Sequence, residues 1–319
     1  MSHDSNPQFA RTSLIVGCGY LGSRLAQRLL ADGATVYGTT RSETKARHLA
    51  SLGIRPMLLS VTQPLTYASL TPALSAESLD VYYMIPPGKI DGSPSTRHVV
   101  LGGSAHMVKA LKHAAPHRAV MVSSSAVYGQ NTAKPVDADT PAEPSSERTQ
   151  LLIQGEKLWL AAGTHFSVLR LAGTYGPDRV VGLKAVREGS PLLGNPEALL
   201  NLIHVDDAVS LLLAMTHSKS TGRIELGCDG HPIPRLEYYT YLANMIGVAP
   251  PIPMDSQTAA ARLGLNPARL ARSSSKALDN QLTCRRTGWQ PAVPDFRTGL
   301  NNILNKTPTT PPQQQPRTC

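Results

Sequence analysis

Three glycines set the chemistry open to this chain. Gly17, Gly19 and Gly22 form Gly-x-Gly-x-x-Gly at the end of an apolar run over residues 13–16. Between a strand and a helix, the first glycine permits the tight turn and the second lets a phosphate approach the backbone. The third lets helix and strand pack closely. The helix N-terminus behind the turn offers N–H groups and roughly half a positive charge, which suits a dinucleotide pyrophosphate. Tyr20 and Leu21 lie inside the turn, so Gly17, Gly19, Tyr20, Leu21 and Gly22 are the first cofactor-binding candidates. A glycine-rich turn in some other α/β fold is the competing reading.

The second strand bears on which dinucleotide. NAD binders place Asp or Glu at its end to hold the ribose 2′-hydroxyl, whereas NADP binders supply a cation for the 2′-phosphate. Residues 35–42 read Thr-Val-Tyr-Gly-Thr-Thr-Arg-Ser, without an acid, and Lys45 and Arg47 follow. A guanidinium can grip phosphate through two hydrogen bonds. Arg41 and Ser42 therefore point to NADP(H), with NAD as the alternative; the opposing view makes Arg41 a solvated helix-start residue. His204, Asp206 and Asp207 could be an acid–base or metal group, but structural capping is favoured. The ten histidines show no H-x-x-x-H or H-E-x-x-H, so no metal site is expected.

These residues need a frame that positions them. Strand patterns at 13–16, 35–39, 55–60, 81–85, 119–123 and 167–171 alternate with helical ones at 22–32, 43–51, 97–114 and 147–162. That rhythm predicts an α/β fold, a Rossmann-type doubly wound parallel sheet. After Pro177 the rhythm breaks, with helices near 205–217 and 236–246. The expected organisation is a flexible tail at 1–12, an NAD(P)-binding Rossmann domain at 13–180, a smaller C-terminal substrate lobe at 181–306 with a segment returning to the sheet, and a disordered tail at 307–319. The strand-four end, Tyr82-Tyr83-Met84-Ile85-Pro86-Pro87, should line the cofactor cleft. Pro86 would shape that wall without donating an N–H, and Tyr83 is assigned to packing ahead of proton transfer.

Bulk properties narrow the function classes. The net charge is +9, but no run of five basic residues occurs, so a nucleic-acid stripe is not indicated. No run of 18 apolar residues predicts a membrane span. The first 12 residues lack the apolar core of a signal peptide. Cys18, Cys228, Cys284 and Cys319 are far apart and form no C-x-x-C, so neither zinc knuckle nor disulfide framework is suggested. A reducing, cytoplasmic location and a small-molecule substrate are expected. A homodimer is admitted, with no residue arguing for it.

Four further motifs follow in order: Ser123-Ser124-Ser125-Ala126-Val127-Tyr128-Gly129, Leu169-Arg170-Leu171-Ala172-Gly173-Thr174-Tyr175-Gly176-Pro177, Asn201-Leu202-Ile203-His204-Val205-Asp206-Asp207-Ala208 and Gly288-Trp289-Gln290-Pro291. With the glycine turn they make residues 13–305 resemble the NAD-dependent epimerase/dehydratase family, the extended short-chain dehydrogenases/reductases. The resemblance implies an NAD(P)-dependent oxidoreductase or epimerase whose C-terminal lobe closes over substrate. It implies proton work by a Ser or Thr and by a Tyr-x-x-x-Lys pair one helical turn apart.

The chain departs from that pattern. Ser124 matches the catalytic serine, although a strand-end serine satisfying backbone groups is the other reading. No tyrosine has Lys four positions on. Family helices often carry Glu four residues after the Lys; Glu156 fits that place, which puts Leu152 at the Lys position and Arg148 at the Tyr position. Arg148 cannot act as a base but could polarise a carbonyl or anchor an anion; a solvated helix-start Arg is equally open. The third strand's Ser60 stands where many members carry Asp for the adenine, and the glycine turn lacks the commoner extra residue. Gly173 replaces an Asn of nucleotide-sugar enzymes, which argues against such a substrate. The expected catalytic residues are Ser124 and Arg148, in an atypical branch. The alternative is a catalytically inactive NADP(H)-binding sensor or partner-binding protein.

Overall fold

Short strands buried along their whole length build the sheet. The computed structural model describes residues 11–86, 96–132, 134–219, 221–263 and 275–305. The tail expected at 307–319, most of that at 1–12, and Pro87 lie outside the described residues. Strands β1 (Thr12–Val16), β2 (Thr35–Thr40), β3 (Arg55–Leu58), β4 (Leu79–Tyr83), β5 (Arg118–Ser124) and β6 (Phe166–Leu171) alternate with helices α1 (Tyr20–Ala31), α2 (Glu43–Ser51), α3 (Thr71–Leu74), α4 (Gly103–Leu111) and α5 (Glu147–Leu160). There follow β7 (Gly173–Tyr175), α6 (Leu183–Arg187), β8 (Leu192–Leu193), β9 (Leu199–Leu200), β10 (Leu202–His204), α7 (Val205–His217), β11 (Ile224–Gly227), β12 (Ile233–Pro234), α8 (Arg235–Met245), β13 (Pro253–Met254), α9 (Ser256–Leu263), α10 (Gln281–Thr287) and α11 (Phe296–Leu304).

Seven strands form one sheet in the order β11-β6-β5-β4-β1-β2-β3, every pair parallel. All residues of β1, β4 and β6 are buried, as strands covered by helices on both faces must be. Successive side chains go to opposite faces. Leu14, Val16, Val81 and Tyr83 join one cluster with Met107 and Leu111 of α4 and Trp159 of α5. Ile15 and Tyr82 join the other, with Leu25 and Leu29 of α1 and Leu211 and Leu212 of α7. Each such side chain contributes about 1.5–3 kcal/mol. This is a Rossmann-type, doubly wound α/β fold. A third cluster, with Tyr175, Tyr238, Leu242, Phe296 and Leu300, lies among β7, α8 and α11. The chain beyond residue 180 is therefore divided: α7 and β11 complete the sheet layer, while α8 and α11 pack on their own core.

Two sequence-derived elements end differently. The third strand stops at Leu58 short of Ser60, whose N–H donates to Thr66 Oγ1 at 3.1 Å and so starts a turn. The helix foreseen over 97–114 is a π-helical turn, His98–Gly102, running into α4. A Cβ on Gly103 would lie 2.6 Å from Tyr83 Oη and 3.1 Å from Val61. The backbone passes so close to β4 there that only glycine fits, and that crowding accompanies the widened turn.

Candidate active site

The C-terminal ends of β1, β4, β5 and β6 border one cleft of about 920 Å³, at the topological switch between β1 and β4. The glycine turn forms its floor, and each glycine has a distinct physical reason. Gly17 has φ +94°, and a Cβ there would meet Ile85 Cδ1 at 2.8 Å and the Met84 carbonyl oxygen at 3.0 Å. Its N–H donates to Thr39 Oγ1 at 2.9 Å, tying the turn to β2. A Cβ on Gly22 would sit 2.8 Å from the Gly17 carbonyl oxygen and 3.0 Å from Ile15 Cγ2, so α1 and β1 pack only because it is absent. At Gly19 the nearest atom is 3.9 Å away. No packing forbids a side chain there; only the cleft would be filled. Gly19 caps α1 with no side-chain acceptor, leaving the first-turn N–H groups of α1 to a ligand. Tyr20, Leu21 and Pro86 line the same cleft. These residues fit a dinucleotide pyrophosphate.

At the end of β2, Arg41 and Ser42 border the cleft with Lys45. Ser42 caps α2: its Oγ accepts from the Lys45 N–H at 3.3 Å. Arg41, Lys45, Arg148, Arg179 and Lys276 all line the cleft, and among the described residues no carboxylate does. The Lys, Arg, Asp and Glu side chains lining the cleft are thus all cationic.

Ser124 ends β5 opposite Leu171 of β6. Its Oγ accepts from the Ala126 N–H at 3.2 Å and caps the short 3-10 turn Ser125–Val127. A hydroxyl that accepts one backbone N–H keeps its proton to donate. Arg148 and Leu152 enter the cleft from α5. That helix starts in a reciprocal capping box, Ser146 Oγ accepting from the Thr149 N–H and Thr149 Oγ1 from the Ser146 N–H. Such caps contribute about 1 kcal/mol and set where the first turn, with Arg148, begins.

The family model of the NAD dependent epimerase/dehydratase family matches residues 13–227, the glycine turn through the last sheet strand. The chain belongs to the NAD-dependent epimerase/dehydratase family. Protein YeeZ of Escherichia coli strain K12 is 28% identical over 288 residues, covering 88% of this chain and 96% of that protein. A 3-diazoavenalumate denitrifying reductase of a Streptomyces species is 24% identical over 301 residues, covering 90% and 98%. Among solved structures, the dTDP-glucose 4,6-dehydratase of Bacillus anthracis in complex with NAD shares the fold, with TM-score 0.75, 15% identity and 93% and 96% coverage.

Within this family frame, Arg148 and Leu152 border the cleft from successive turns of one helix, and Leu152 is 7% exposed. Glu156, one further turn on, faces inward. Its carboxylate takes Arg170 Nη2 at 2.6 Å and the Ser123 hydroxyl. Arg170 also lies 4.8 Å over the Tyr128 ring. This buried group locks β5, α5 and β6 together directly behind Ser124.

Other candidates are structural. His204 is the α7 cap, its Nδ1 accepting from the Asp206 N–H at 3.3 Å. Asp207 accepts from the Ala292 and Val293 N–H groups at 2.7 and 3.0 Å, holding the segment before α11. Capping thus falls to the histidine, while Asp207 does the pairing. Tyr83 is 3% exposed and packs on Trp159; burial pushes its phenol far up, so it is no proton carrier. Among the described residues no group of three or more His, Cys, Asp or Glu could hold a metal ion, and no helix is long and apolar enough to cross a membrane.

Sequence reasoning missed Arg179, Asn201 and Lys276 as cleft residues. Tyr20 donates to the Pro177 carbonyl at 2.8 Å, and the guanidiniums of Arg24 and Arg179 lie 4.0 and 5.4 Å from its ring centroid. Arg179 stands two residues past the Tyr-Gly-Pro motif, a signal that could have found it. Lys276 has no such signal. Asn201 holds it, donating from Nδ2 to the Lys276 carbonyl at 2.9 Å and accepting the Leu278 N–H at Oδ1.

Proposed function

We propose that the protein is an NADP(H)-dependent oxidoreductase acting on a small molecule, with Ser124 orienting the reacting group and Arg148 polarising it. The observation that carries this reading is Gly19, where a Cβ would meet no protein atom nearer than 3.9 Å, so that a phosphate's approach to the backbone is the use left for the glycine. Gly17, Gly19 and Gly22, with the α1 N-terminus, would hold the pyrophosphate. Arg41, with Ser42 and Lys45, would hold the 2′-phosphate. Bound nicotinamide supplies hydride donation or acceptance. Ser124 donates a hydrogen bond from its hydroxyl to a substrate oxygen, the Arg148 cation steadies negative charge growing there, and a water or another tyrosine carries the proton. The 3-diazoavenalumate denitrifying reductase among the relatives supports reductive chemistry on this framework.

One observation favours a second reading, a dinucleotide-binding sensor without turnover: Leu152 cannot titrate at the position of the family lysine. Titrating NADPH and NADH into the protein and its Arg41→Ala variant tests the cofactor assignment. NADPH should bind tighter, and Arg41→Ala should weaken NADPH at least tenfold while leaving NADH unchanged. Tighter NADH binding, or an indifferent Arg41→Ala, overturns the NADP reading.

A further inference from the structure

Two guanidiniums stand at the start of α1, where a cation is unfavourable. A helix N-terminus is itself positive, and the first turn of α1 holds no acidic residue. Arg24 and Arg179 nevertheless lie 4.0 and 5.4 Å from the centroid of the Tyr20 ring. Tyr20 is the first residue of α1, directly after Gly19.

Arg24 is accounted for within the protein. Its Nη1 donates to the Tyr20 carbonyl and its Nη2 to the Pro177 carbonyl, both at 3.2 Å, and Nη2 lies 3.9 Å from Asp178 Oδ2. Arg179 is different. Among the described residues its guanidinium meets no carboxylate and no hydrogen-bond acceptor, only the Tyr20 ring. Of the acids near Tyr20, Asp178 lies with Arg24, and Asp206 Oδ2 is 3.6 Å from His204 Nδ1. Arg179 is exposed and borders the cleft beside the glycine turn.

A tight turn sets its place. The Gly176 and Arg179 N–H groups each donate to the other's carbonyl at 3.0 Å. Pro177 and Asp178 lie between, and Asp178 has φ +66°, the pattern of a type II turn. A residue with a side chain holds that conformation only where its surroundings impose it, as at ligand clamps. Here α1 imposes it: the Tyr20 hydroxyl donates to the Pro177 carbonyl at 2.8 Å, and a Cβ on Gly176 would lie 2.7 Å from Tyr20 Oη. On the other side, Val180 and Val181 pack on the third core cluster, and the Val181 carbonyl accepts from Tyr238 Oη at 3.1 Å. The backbone of Arg179 is thus held from both sides.

We infer that Arg179 is a second ligand of the dinucleotide pyrophosphate, reaching it from the 176–179 turn while the α1 N-terminus holds it from the glycine turn. This rests on reading the glycine turn as the dinucleotide site. A guanidinium can span two phosphate oxygens, and the anion would relieve the meeting of like charges at the start of α1.

The test titrates NADPH, NADH and adenosine 2′-phosphate by calorimetry into the full-length protein and its Arg179→Gln variant. Arg28→Gln, further along α1, is the control for net charge. An exposed side chain without a polar partner can be changed without unfolding the chain. Arg179→Gln should weaken NADPH and NADH by a common factor of about tenfold or more. It should leave adenosine 2′-phosphate, which has no pyrophosphate, unchanged, and Arg28→Gln should leave all three unchanged. Loss for NADPH alone, or an equal loss for adenosine 2′-phosphate, would put Arg179 at the 2′-phosphate and overturn the inference. An equal loss in Arg28→Gln would make the effect one of net charge and overturn it too. Wild-type protein that binds neither dinucleotide overturns the cofactor reading itself, whereas wild-type binding with an indifferent Arg179→Gln overturns the Arg179 contact alone.

Discussion

Alanine at Gly19 and at Gly22 should fail in opposite ways. Both changes add one methyl to the same turn. At Gly22 that methyl would stand 2.8 Å from the Gly17 carbonyl oxygen and 3.0 Å from Ile15 Cγ2. Backbone cannot yield cheaply, and overpacking of this kind costs about 1–3 kcal/mol, against a gain of about 1 kcal/mol in helix propensity. At Gly19 the nearest atom is 3.9 Å off and φ is −90°, outside the left-handed region. No packing penalty opposes a methyl there, so stability should change little. A phosphate, however, could no longer reach the backbone. Losing one charged hydrogen bond costs about 1.5–3 kcal/mol, or about 10- to 150-fold in affinity. Thermal melting and NADPH titration of both variants decide the matter. Gly19→Ala should keep its Tm and lose NADPH; Gly22→Ala should lose several degrees. Undiminished NADPH binding by Gly19→Ala would refute the assignment of this turn to a dinucleotide.

Further outcomes concern catalysis and stability. Ser124→Ala and Arg148→Ala should each cut turnover about 10²–10³-fold while NADPH affinity stays within about twofold; unchanged turnover removes both from the reaction. Arg170→Met should strand the buried Glu156 carboxylate and cost about 3–5 kcal/mol in urea unfolding, with the double change Arg170→Met and Glu156→Leu milder than Arg170→Met alone. Burial lifts the Asp229 carboxyl to about 7, so between about pH 4 and pH 7 the folded protein keeps a proton that the unfolded chain has released. Stability from this group is therefore full below about pH 4 and lost as pH rises through about 7, by on the order of 4 kcal/mol. Asp229→Asn, whose amide oxygen can still accept the His231 N–H, should raise Tm at pH 8 and leave it nearly unchanged at pH 4.

What could be read from the sequence was what is local. The glycine turn, the acid-free end of β2 and the strand–helix rhythm are each written in a few consecutive residues, and their physics needs no distant partner. Arg148 and Leu152 were reached by counting back from Glu156 along the family's spacing, and a separation of four residues puts them on one helix face. The π-turn before α4 was illegible because its cause, the close pass of Gly103 over Tyr83 and Val61, joins three separate stretches. Lys276 was illegible for the same reason: its place in the cleft is set by Asn201, 75 residues earlier. Glu156 was singled out by the family's spacing, but its partners Arg170 and Ser123 appear only once β5 and β6 are paired.

The departures from the family pattern form a consistent set once charge is followed around the cleft. A Tyr-x-x-x-Lys pair works because the lysine cation makes its tyrosine a usable base near neutral pH. Here an apolar Leu152 and a permanently charged Arg148 stand in those two places, so α5 can orient and attract but cannot exchange a proton. The other titratable lining groups are moved in different directions by burial. Cys18 and Tyr20 are pushed up, away from neutrality, whereas the Lys276 ammonium is brought down toward it. Desolvation raises the cost of a thiolate or phenolate and of an ammonium alike, so the same burial that silences the first two makes the lysine more ready to give up its proton. α5 is therefore left with the orienting and charge-steadying role of Arg148, and the proton of the reaction must come from another group or from water.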